Sequence, residues 1–566
     1  MHTPQFSERF RSVADILTVE SVEGAPAAVS IVGRAGAVVE TDRDALRSEA
    51  LRWGAWFAER IEPGDRVALC LPTSAEFLHA FFGILYAGGV AVPLPSMVPQ
   101  VAEYIPAFLE SRAPVINDSG AGFLVTSSEL AAVMEGLREQ CDGLQSVVTA
   151  AMIDGDGAGF VPRPSERSGL AMLQYTSGST GEPKGVELTH HCLLWNLDAI
   201  SAGVGVRPKD ACVSWLPLYL DMGLIGGCLW PLAVGIGTTL MATEVFLTDP
   251  VFWLQALSAK QATITVAPNF GYALSVKRVK DEVLEHLDLS AVRTMLCGAE
   301  PIDEAVLAAF QDKFARAGLP PDVILPVYGL AEATLAVTFT EVGGPVRTAS
   351  VDRLRLEGDG HAVDAAPGAV AATIVSVGKP LLDNELRIVD ADGQVLAENR
   401  QGEILVKSKS LMRGYFGNAQ ATEKTLRGGW LHTGDLGFLR DGELYITGRI
   451  KDLIITYGRN FYPHDIERIA EQVTGVRNGC VAAFAVHNEQ ESTDEIAVVA
   501  ETRATERAAL IAMRREIRKR LINAIECNPK FVHLVPPREV PKTTSGKLRR
   551  NEARRMLEAG EFTKLV

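Results

Sequence analysis

The chain has 566 residues, 47% of them hydrophobic and 22% charged, which is too long for one hydrophobic core and predicts a globular protein of at least two domains. Its formal net charge of −15 disfavours nucleic acid or an anionic membrane as the main partner, because both require a basic contact surface. The eight cysteines form no CxxC pair, which is typical of reduced thiols and predicts a cytoplasmic protein. The polar N-terminal residues contain no apolar run of signal-peptide length, so secretion is not expected.

Strand and helix patterns alternate over the first half of the chain. From Gly64 the run GDRVALCLP predicts a buried strand, residues 74–87 have helical spacing, and residues 90–94 predict the next strand. This order predicts a largely parallel sheet covered by helices. The long apolar stretches 77–95 and 222–242 contain glycine and proline, so we expect buried helices and strands there and no membrane insertion. Further strands are predicted at 122–126, 146–149, 211–216, 262–267 and 294–297.

The pattern changes near Val375, where predicted strands at 385–389, 402–407 and 443–447 indicate a β-rich part at about 375–447. We place a domain boundary near Lys451. The predicted fold class is α/β. A large N-terminal domain, residues 1–450, combines parallel sheets in αβα layers with the β-rich part, and a small α+β C-terminal domain covers residues 451–566.

Residues Tyr175 to Gly185, YTSGSTGEPKG, place glycines and hydroxyl side chains before one lysine. Glycine lets the backbone approach a ligand closely, and successive N–H and hydroxyl donors can surround phosphate oxygens. The spacing differs from GxxxxGK[ST], because Pro183 precedes Lys184. The composition alone fits a phosphate-binding loop or a flexible surface loop.

Further motifs give this loop a context. They are LPLYLDMG at 216–223, YGLAEAT at 328–334, WLHTGD at 430–435, GRIKD from Gly448 and PKTTSGKLRR at 541–550. In this order the set resembles the adenylate-forming superfamily over about residues 40 to 555. The phrases LQYTSGSTGEPKGVELTH, APNFGYAL, CGAEPI and ITGRIKDLIITYGRNFYPHDIE are most similar to those of the fatty acyl-AMP ligases, as is an extra segment at about 340–372.

The resemblance implies that a fatty or other apolar carboxylic acid attacks the α-phosphorus of ATP, releasing pyrophosphate and leaving acyl-AMP. Because a carboxylate is ionised at pH 7, this step needs cations, N–H donors and Mg²⁺ rather than a general base. The acyl group would then pass to the phosphopantetheine thiol of an acyl carrier protein. The alternatives are an acyl-CoA synthetase, an adenylating half that serves a separate thioesterifying partner, and a non-catalytic protein that binds nucleotide or acyl groups.

The resemblance also implies roles for individual residues. Lys547, Glu332 and Thr176 would be catalytic, with Glu332 also binding Mg²⁺ and Lys547 bridging the carboxylate and α-phosphate. Tyr328 would stack on adenine, Asp435 would bind the ribose hydroxyls, and Arg449 would contact ribose or phosphate. The small domain would close with Lys547 inward and later rotate about a hinge at Lys451. The remaining expected nucleotide contacts are Thr176, Ser177, Gly178, Ser179, Thr180 and Lys184 for the β- and γ-phosphates, and Gly298, Ala299, Glu300, Gly329 and Thr334.

One position departs from the family pattern, since Leu220 stands where PLYHDMG has histidine. Leucine cannot donate a hydrogen bond, so an orienting contact would be lost or an apolar acid pocket enlarged. The residues expected to line that pocket are of types that also occur in ordinary cores. They are Trp215, Leu220, Asp221, Met222, Asn269, Phe270 and Tyr272.

Overall fold

The computed structural model describes residues 5–20, 28–33, 37–96, 105–177, 183–456, 459–488, 493–543 and 546–565. In the part before Lys451 the strands are β1 (Ala28–Val32), β2 (Val38–Asp42), β3 (Arg66–Cys70), β4 (Val90–Pro93), β5 (Phe123–Thr126), β6 (Ser146–Val148), β7 (Leu170–Ser177), β8 (Pro183–Thr189), β9 (Ala211–Ser214), β10 (Gly237–Met241), β11 (Ile264–Ala267), β12 (Thr294–Cys297), β13 (Ile324–Gly329), β14 (Ala336–Phe339), β15 (Thr348–Asp352), β16 (Ala371–Val375), β17 (Lys379–Pro380), β18 (Glu385–Val389), β19 (Gly402–Lys407), β20 (Leu426–Arg427), β21 (Trp430–Arg440) and β22 (Glu443–Arg449).

The helices of this part are α1 (Phe6–Arg9), α2 (Arg43–Ala58), α3 (Ala75–Tyr86), α4 (Ile105–Glu110), α5 (Ala113–Ser119), α6 (Ala131–Met134), α7 (His190–Val204), α8 (Trp230–Val234), α9 (Thr243–Thr248), α10 (Val251–Ala259), α11 (Asn269–Arg278), α12 (Asp281–Leu284), α13 (Glu304–Ala315), α14 (Arg353–Asp359) and α15 (Ala419–Thr425). A π-helix covers Met222–Leu229, and the 3₁₀ helices are Val13–Thr18, Glu135–Glu139, Ala150–Met152, Ala331–Ala333 and Ile450–Asp452.

Two large sheets organise this part. One has the order β17-β14-β13-β12-β11-β9-β10-β1-β2, and its six central strands are parallel. The other has the order β6-β5-β3-β4-β7-β8 and is parallel up to β7. The predicted parallel α/β architecture is confirmed, with antiparallel strands added at the edges of both sheets.

The β-rich part is a separate antiparallel sheet of β18, β19, β20, β21 and β22. The segment at about 340–372 contains β15 and α14, and β15 pairs with β16. This small sheet packs its apolar face against the stacked rings of Phe438 and Tyr445, whose centroids are 5.0 Å apart. The segment is therefore a folded unit attached to the β-rich sheet.

The C-terminal part contains β23 (Ile454–Thr456), β24 (Arg459–Phe461), β25 (Val476–Asn488), β26 (Thr493–Thr502) and β27 (Phe531–Val535), with α16 (Pro463–Glu471), α17 (Arg507–Ile525) and α18 (Arg550–Glu558). Strands β25, β26 and β27 form one sheet with a helix-covered apolar core of its own, which includes Ile454 and Leu534. The largest core of the chain ends with residues of β22, such as Leu444. The predicted boundary at Lys451 lies between these two cores.

The predicted strands are present with ends shifted by up to two residues, and three of them, 294–297, 385–389 and 402–407, have the predicted bounds. The run 222–242 contains buried helices and a strand, as expected, and it begins with a π-helix. Gly223 and Gly227 of this helix pack closely, since a Cβ would lie 2.2 Å from the Pro217 carbonyl oxygen at Gly223 and 2.4 Å from Ser214 Oγ at Gly227. Residues 175–177 and 183–185 of the predicted phosphate loop belong to β7 and β8, which form an antiparallel hairpin. Within the described ranges, every helix is too short or too polar to cross a bilayer.

Candidate functional site

A cavity of about 2250 Å³ lies between the part before Lys451 and the C-terminal part. Both parts contribute to its walls, and Lys451 itself lines it. The predicted site residues that line the cavity are Thr176, Lys184, Asp221, Met222, Asn269, Phe270, Ala299, Glu300, Tyr328, Gly329, Glu332, Asp435, Arg449 and Lys547. The fold thus brings together residues that are up to 371 positions apart in the sequence.

The hairpin of β7 and β8 positions the predicted phosphate-binding residues. Thr176 and Lys184 are register partners across the two strands, and both side chains line the cavity. The Lys184 Nζ lies 4.9 Å from the centroid of the Tyr415 ring. A fixed ammonium beside a hydroxyl group is suited to phosphate oxygens.

Glu332 lies in the 3₁₀ helix after β13, in a loop held by buried polar contacts. The Asn196 amide donates to the carbonyls of Ala333 and Ala336 and accepts from the Ala336 N–H. The Glu332 Oε1 accepts a hydrogen bond of 2.8 Å from the Tyr415 hydroxyl. The backbone N–H of Met412 donates to the Glu332 carbonyl at 2.8 Å. The carboxylate is thereby fixed at the cavity wall.

The donor set fits a magnesium ion held together with a nucleotide. Mg²⁺ is commonly bound through one or two carboxylates, with phosphate oxygens and waters completing its shell. Within the described ranges there is no group of three or more carboxylate, histidine or cysteine ligands, so no site built from protein ligands alone is seen there. Glu332 would supply one hard oxygen ligand, and it lines the same cavity as Thr176 and Lys184.

Tyr328, Asp435 and Arg449 form a hydrogen-bonded group at the end of β13 and on the β21–β22 hairpin. The Tyr328 hydroxyl donates to Asp435 Oδ2 at 2.7 Å, and Arg449 Nε donates to Asp435 Oδ1 at 2.6 Å. Asp435 and Arg449 are register partners in the hairpin. The Asp435 carboxylate raises the pKa of Arg449, whereas burial and then Asp435 raise the pKa of Tyr328. The aspartate is thus held with both oxygens oriented.

Lys547 reaches the cavity from a turn of the C-terminal part. Its N–H donates to Thr543 Oγ1 at 3.0 Å, and its carbonyl accepts from the Thr543 N–H at 2.7 Å. Burial raises the pKa of the Asp221 and Glu300 carboxyls, and the Lys547 ammonium counteracts this rise at both. Glu300 also accepts from the Phe270 N–H at 2.5 Å. The lysine therefore lies among acidic groups of the large part, in the inward position that the resemblance implies for adenylation.

Part of the cavity wall is apolar. A Cβ on Gly226 of the π-helix would lie 3.1 Å from Leu335 Cδ2, so a larger side chain there would enter the space beside Leu335. The indole N–H of Trp230 is bonded to Ser201 Oγ at 2.9 Å, which leaves only the ring for contact with a ligand. These apolar wall residues are Ile200, Gly226, Trp230, Leu335, Ala336 and Phe339.

Several predicted site residues do not line the cavity. Trp215 is stacked on Phe246 with ring centroids 3.7 Å apart, and the fully buried Tyr272 donates to the Leu296 carbonyl, so both are core residues. Thr334 is buried at φ +71° and donates to the Ser410 carbonyl. Leu220 and Gly298 also lie outside the wall, so the expected effect of Leu220 on the acid pocket has no direct contact to support it. Gly178, Ser179 and Thr180 lie outside the described residues, as does the Ser177 side chain.

No sequence motif indicated Tyr415, Asn196 or the apolar wall residues. Tyr415 lies in the run LMRGYFG, which lacks a chemical motif, and its contacts come from parts of the chain 83 and 231 residues away. Asn196 lies within a helix and has the appearance of an ordinary polar residue. The residues near Tyr415 pair with β8, and this pairing becomes visible only in the tertiary fold.

Comparison with known proteins identifies the class. The family model described as AMP-binding enzyme matches residues 20–416. A putative acyl-CoA synthetase of Caulobacter vibrioides is 37% identical over 503 residues, covering 88% of this chain and 87% of the relative. The long-chain-fatty-acid–AMP ligase FadD26 of Mycobacterium marinum is 37% identical over 86% of each chain. A 4-hydroxyphenylalkanoate adenylyltransferase of Mycobacterium tuberculosis is 36% identical, covering 89% of this chain and 84% of the relative.

A solved structure from a study of fatty acyl-adenylate ligases of E. coli and L. pneumophila superposes with a TM-score of 0.90 and 34% identity, over 98% of this chain and 99% of that chain. The fold and the site thus define an adenylate-forming α/β enzyme with a cavity between two parts. The chain belongs to the AMP-binding enzyme family and is an ATP-dependent ligase, with fatty acyl-AMP ligases among its relatives.

Proposed function

We propose that the protein activates a fatty or other largely apolar carboxylic acid with ATP, forming acyl-AMP and releasing pyrophosphate. The observation that carries this proposal is that Lys547 lines the same cavity as Lys184, Glu332 and Asp435, beside an apolar wall. Cations at this place can neutralise charge on the reacting phosphate and carboxylate. The apolar wall is suited to the hydrocarbon part of the acid.

Each polar group has a defined task in this mechanism. Asp435 binds the ribose hydroxyls while Tyr328 and Arg449 hold its carboxylate, and Lys184 and Thr176 bind the outgoing phosphates. Lys547 bridges the attacking carboxylate and the α-phosphate, so the carboxylate oxygen bonds to phosphorus as the bond to pyrophosphate breaks. Mg²⁺ bound at Glu332 would neutralise phosphate charge. Because the nucleophile is already ionised, the step needs orientation and charge neutralisation.

For the second step we propose transfer of the acyl group to the phosphopantetheine thiol of an acyl carrier protein, after the small domain rotates about Lys451. One relative is named long-chain-fatty-acid–AMP ligase, a name that gives acyl-AMP as the product and does not mention coenzyme A, which favours an acceptor other than coenzyme A. The similarity to a putative acyl-CoA synthetase favours coenzyme A as the second candidate. The unpaired, buried state of all eight cysteines supports the cytoplasm as the proposed location.

Pyrophosphate exchange with a panel of acids tests adenylation directly. We expect exchange with straight-chain fatty acids. Because one relative is named 4-hydroxyphenylalkanoate adenylyltransferase, the panel also includes 4-hydroxyphenylalkanoic acids as a second series. Product formation is then measured with coenzyme A or with a phosphopantetheinylated carrier protein as acceptor. Efficient release of acyl-CoA would overturn the carrier assignment, and absence of exchange with every acid would overturn the adenylation assignment.

A further inference from the structure

Tyr415 stands between the two groups to which the proposed function gives the nucleotide phosphates and the metal ion. Its hydroxyl donates to Glu332 Oε1 at 2.8 Å, and its ring lies 4.9 Å from the Lys184 ammonium. The side chain is almost completely buried, at 8% exposure, and lines the cavity. One side chain therefore contacts both the carboxylate and the cation of the phosphate site.

The backbone around Tyr415 makes this arrangement rigid. Residues 413–416 run antiparallel to β8, with the Glu187 N–H bonded to the Gly414 carbonyl at 2.9 Å and the Phe416 N–H bonded to the Gly185 carbonyl at 2.8 Å. The Tyr415 N–H donates to Thr422 Oγ1 at 2.9 Å. Three residues before Tyr415, the Met412 N–H donates to the Glu332 carbonyl. The segment thus joins the strand that carries Lys184 to the loop that carries Glu332.

We propose that Tyr415 is a positioning residue that holds Glu332 Oε1, leaves the other carboxylate oxygen for Mg²⁺, and supports the Lys184 ammonium through its ring. The inference rests on the proposed function, because it presumes that Glu332 is the metal ligand. A hydrogen bond to a metal-binding carboxylate fixes its orientation, and loss of such a partner commonly lowers metal affinity 10- to 100-fold. A cation facing an aromatic ring is attracted by the electron density of that ring.

Two substitutions separate the two contacts. Tyr415→Phe removes the hydroxyl and keeps the ring, so we expect the Mg²⁺ concentration for half-maximal ATP binding to rise about tenfold or more. Binding of metal-free ATP should stay within twofold of wild type. Tyr415→Leu removes the ring as well and should weaken metal-free ATP binding in addition. Titration calorimetry of the full-length protein with ATP, with and without Mg²⁺, measures both effects independently of turnover.

Tyr445→Phe is the matched control, because Tyr445 is a buried tyrosine stacked on Phe438 that does not line the cavity. It should leave both titrations unchanged. The inference is overturned if ATP binding by Tyr415→Phe depends on Mg²⁺ as it does in wild type. It is also overturned if the substitution weakens the binding of metal-free ATP and of Mg²⁺-bound ATP equally. The two proposals can fail separately. If wild-type protein shows no pyrophosphate exchange with any acid, the proposed reaction is contradicted. If its ATP binding nevertheless depends on Mg²⁺ and Tyr415→Phe weakens that dependence, the positioning role remains supported.

Discussion

Asp435 illustrates how the site is organised at the scale of single residues. The residue is 4% exposed, and its carboxylate accepts from Tyr328 on one oxygen and from Arg449 on the other. A carboxylate held on both sides keeps a fixed orientation toward the cavity, which is the condition for recognising two adjacent hydroxyl groups. The tyrosine of YGLAEAT therefore contributes through its hydroxyl, in addition to the ring stacking that the sequence predicts for it.

Asp435→Asn tests this arrangement. The amide can satisfy Arg449 with its oxygen and Tyr328 with its NH₂ group, but it loses the negative charge that pairs with Arg449. We expect the KM for ATP to rise about tenfold or more, since hydrogen bonds to charged groups contribute about 1.5–3 kcal/mol, while kcat falls less. Pyrophosphate exchange at varied ATP measures both constants. A fall in kcat alone, with an unchanged KM for ATP, would contradict a role in binding the ribose.

At the scale of elements, α14 and α16 hold the C-terminal part against the segment at about 340–372. Arg353 of α14 bonds to Asp465 of α16 at 2.6 Å and to Glu357 at 3.2 Å. Glu357 in turn accepts from Arg459 of β24 at 3.0 Å. Arg353 is 3% exposed and Glu357 is 1% exposed, so this ion-pair network is buried between the two parts.

Arg353→Met should loosen this contact. Removing one partner of a buried ion pair leaves uncompensated charge and commonly costs about 3–5 kcal/mol. We expect a lower Tm and faster tryptic cleavage near Lys451, because the C-terminal part would separate more often. Arg355→Met is the control on the same helix, since Arg355 pairs with Asp359 at the surface. Equal cleavage rates in the two variants would contradict a bridging role for Arg353.

Glu471, the last residue of α16, gives a pH prediction. Burial raises the pKa of its carboxyl from 4.5 to about 7, although the Gly479 N–H donates to it at 2.7 Å. In the unfolded chain the group ionises near pH 4.5, whereas the folded protein keeps the proton until about pH 7. The native state is therefore destabilised progressively between these two values, by about 3 kcal/mol once both states are ionised.

Glu471→Gln removes this cost and keeps an acceptor for Gly479. We expect a Tm close to that of wild type at pH 4.5 and several degrees higher at pH 8, measured by calorimetry on the full-length chain. The exposed Glu558→Gln should show no such difference between the two pH values. A stabilisation by Glu471→Gln that is the same at pH 4.5 and pH 8 would contradict this account.

The sequence was informative wherever a feature depends on local pattern. The βαβ order, the strands at 385–389 and 402–407 and the motif residues that line the cavity all follow from spacing or from contiguous motifs. Tyr415 could not be predicted in this way, because its role depends on β8 and on Glu332, which are distant in sequence. Trp215 and Tyr272 show the converse, since an aromatic residue next to a motif has the same composition whether it packs in the core or contacts a ligand.

At the scale of the whole molecule, the site is complete only when the two parts are together. Lys184, Glu332 and Asp435 belong to the large part, whereas Lys547 belongs to a turn that follows the separate core of the C-terminal part. Rotation about Lys451 would remove Lys547 from the cavity without changing the other groups. The two half-reactions should therefore depend on Lys547 to different extents.

Lys547→Ala tests this dependence. Without the ammonium, the attacking carboxylate and the α-phosphate lose their shared cation, so pyrophosphate exchange should fall at least 100-fold. Acyl transfer from supplied acyl-AMP to the carrier protein should stay within about threefold, because a rotated small domain would not use this lysine. Lys519→Ala, on the exposed side of α17, is the control and should leave both rates unchanged. Equal losses in exchange and transfer would show that Lys547 serves both steps or the fold itself, and would contradict the rotation mechanism.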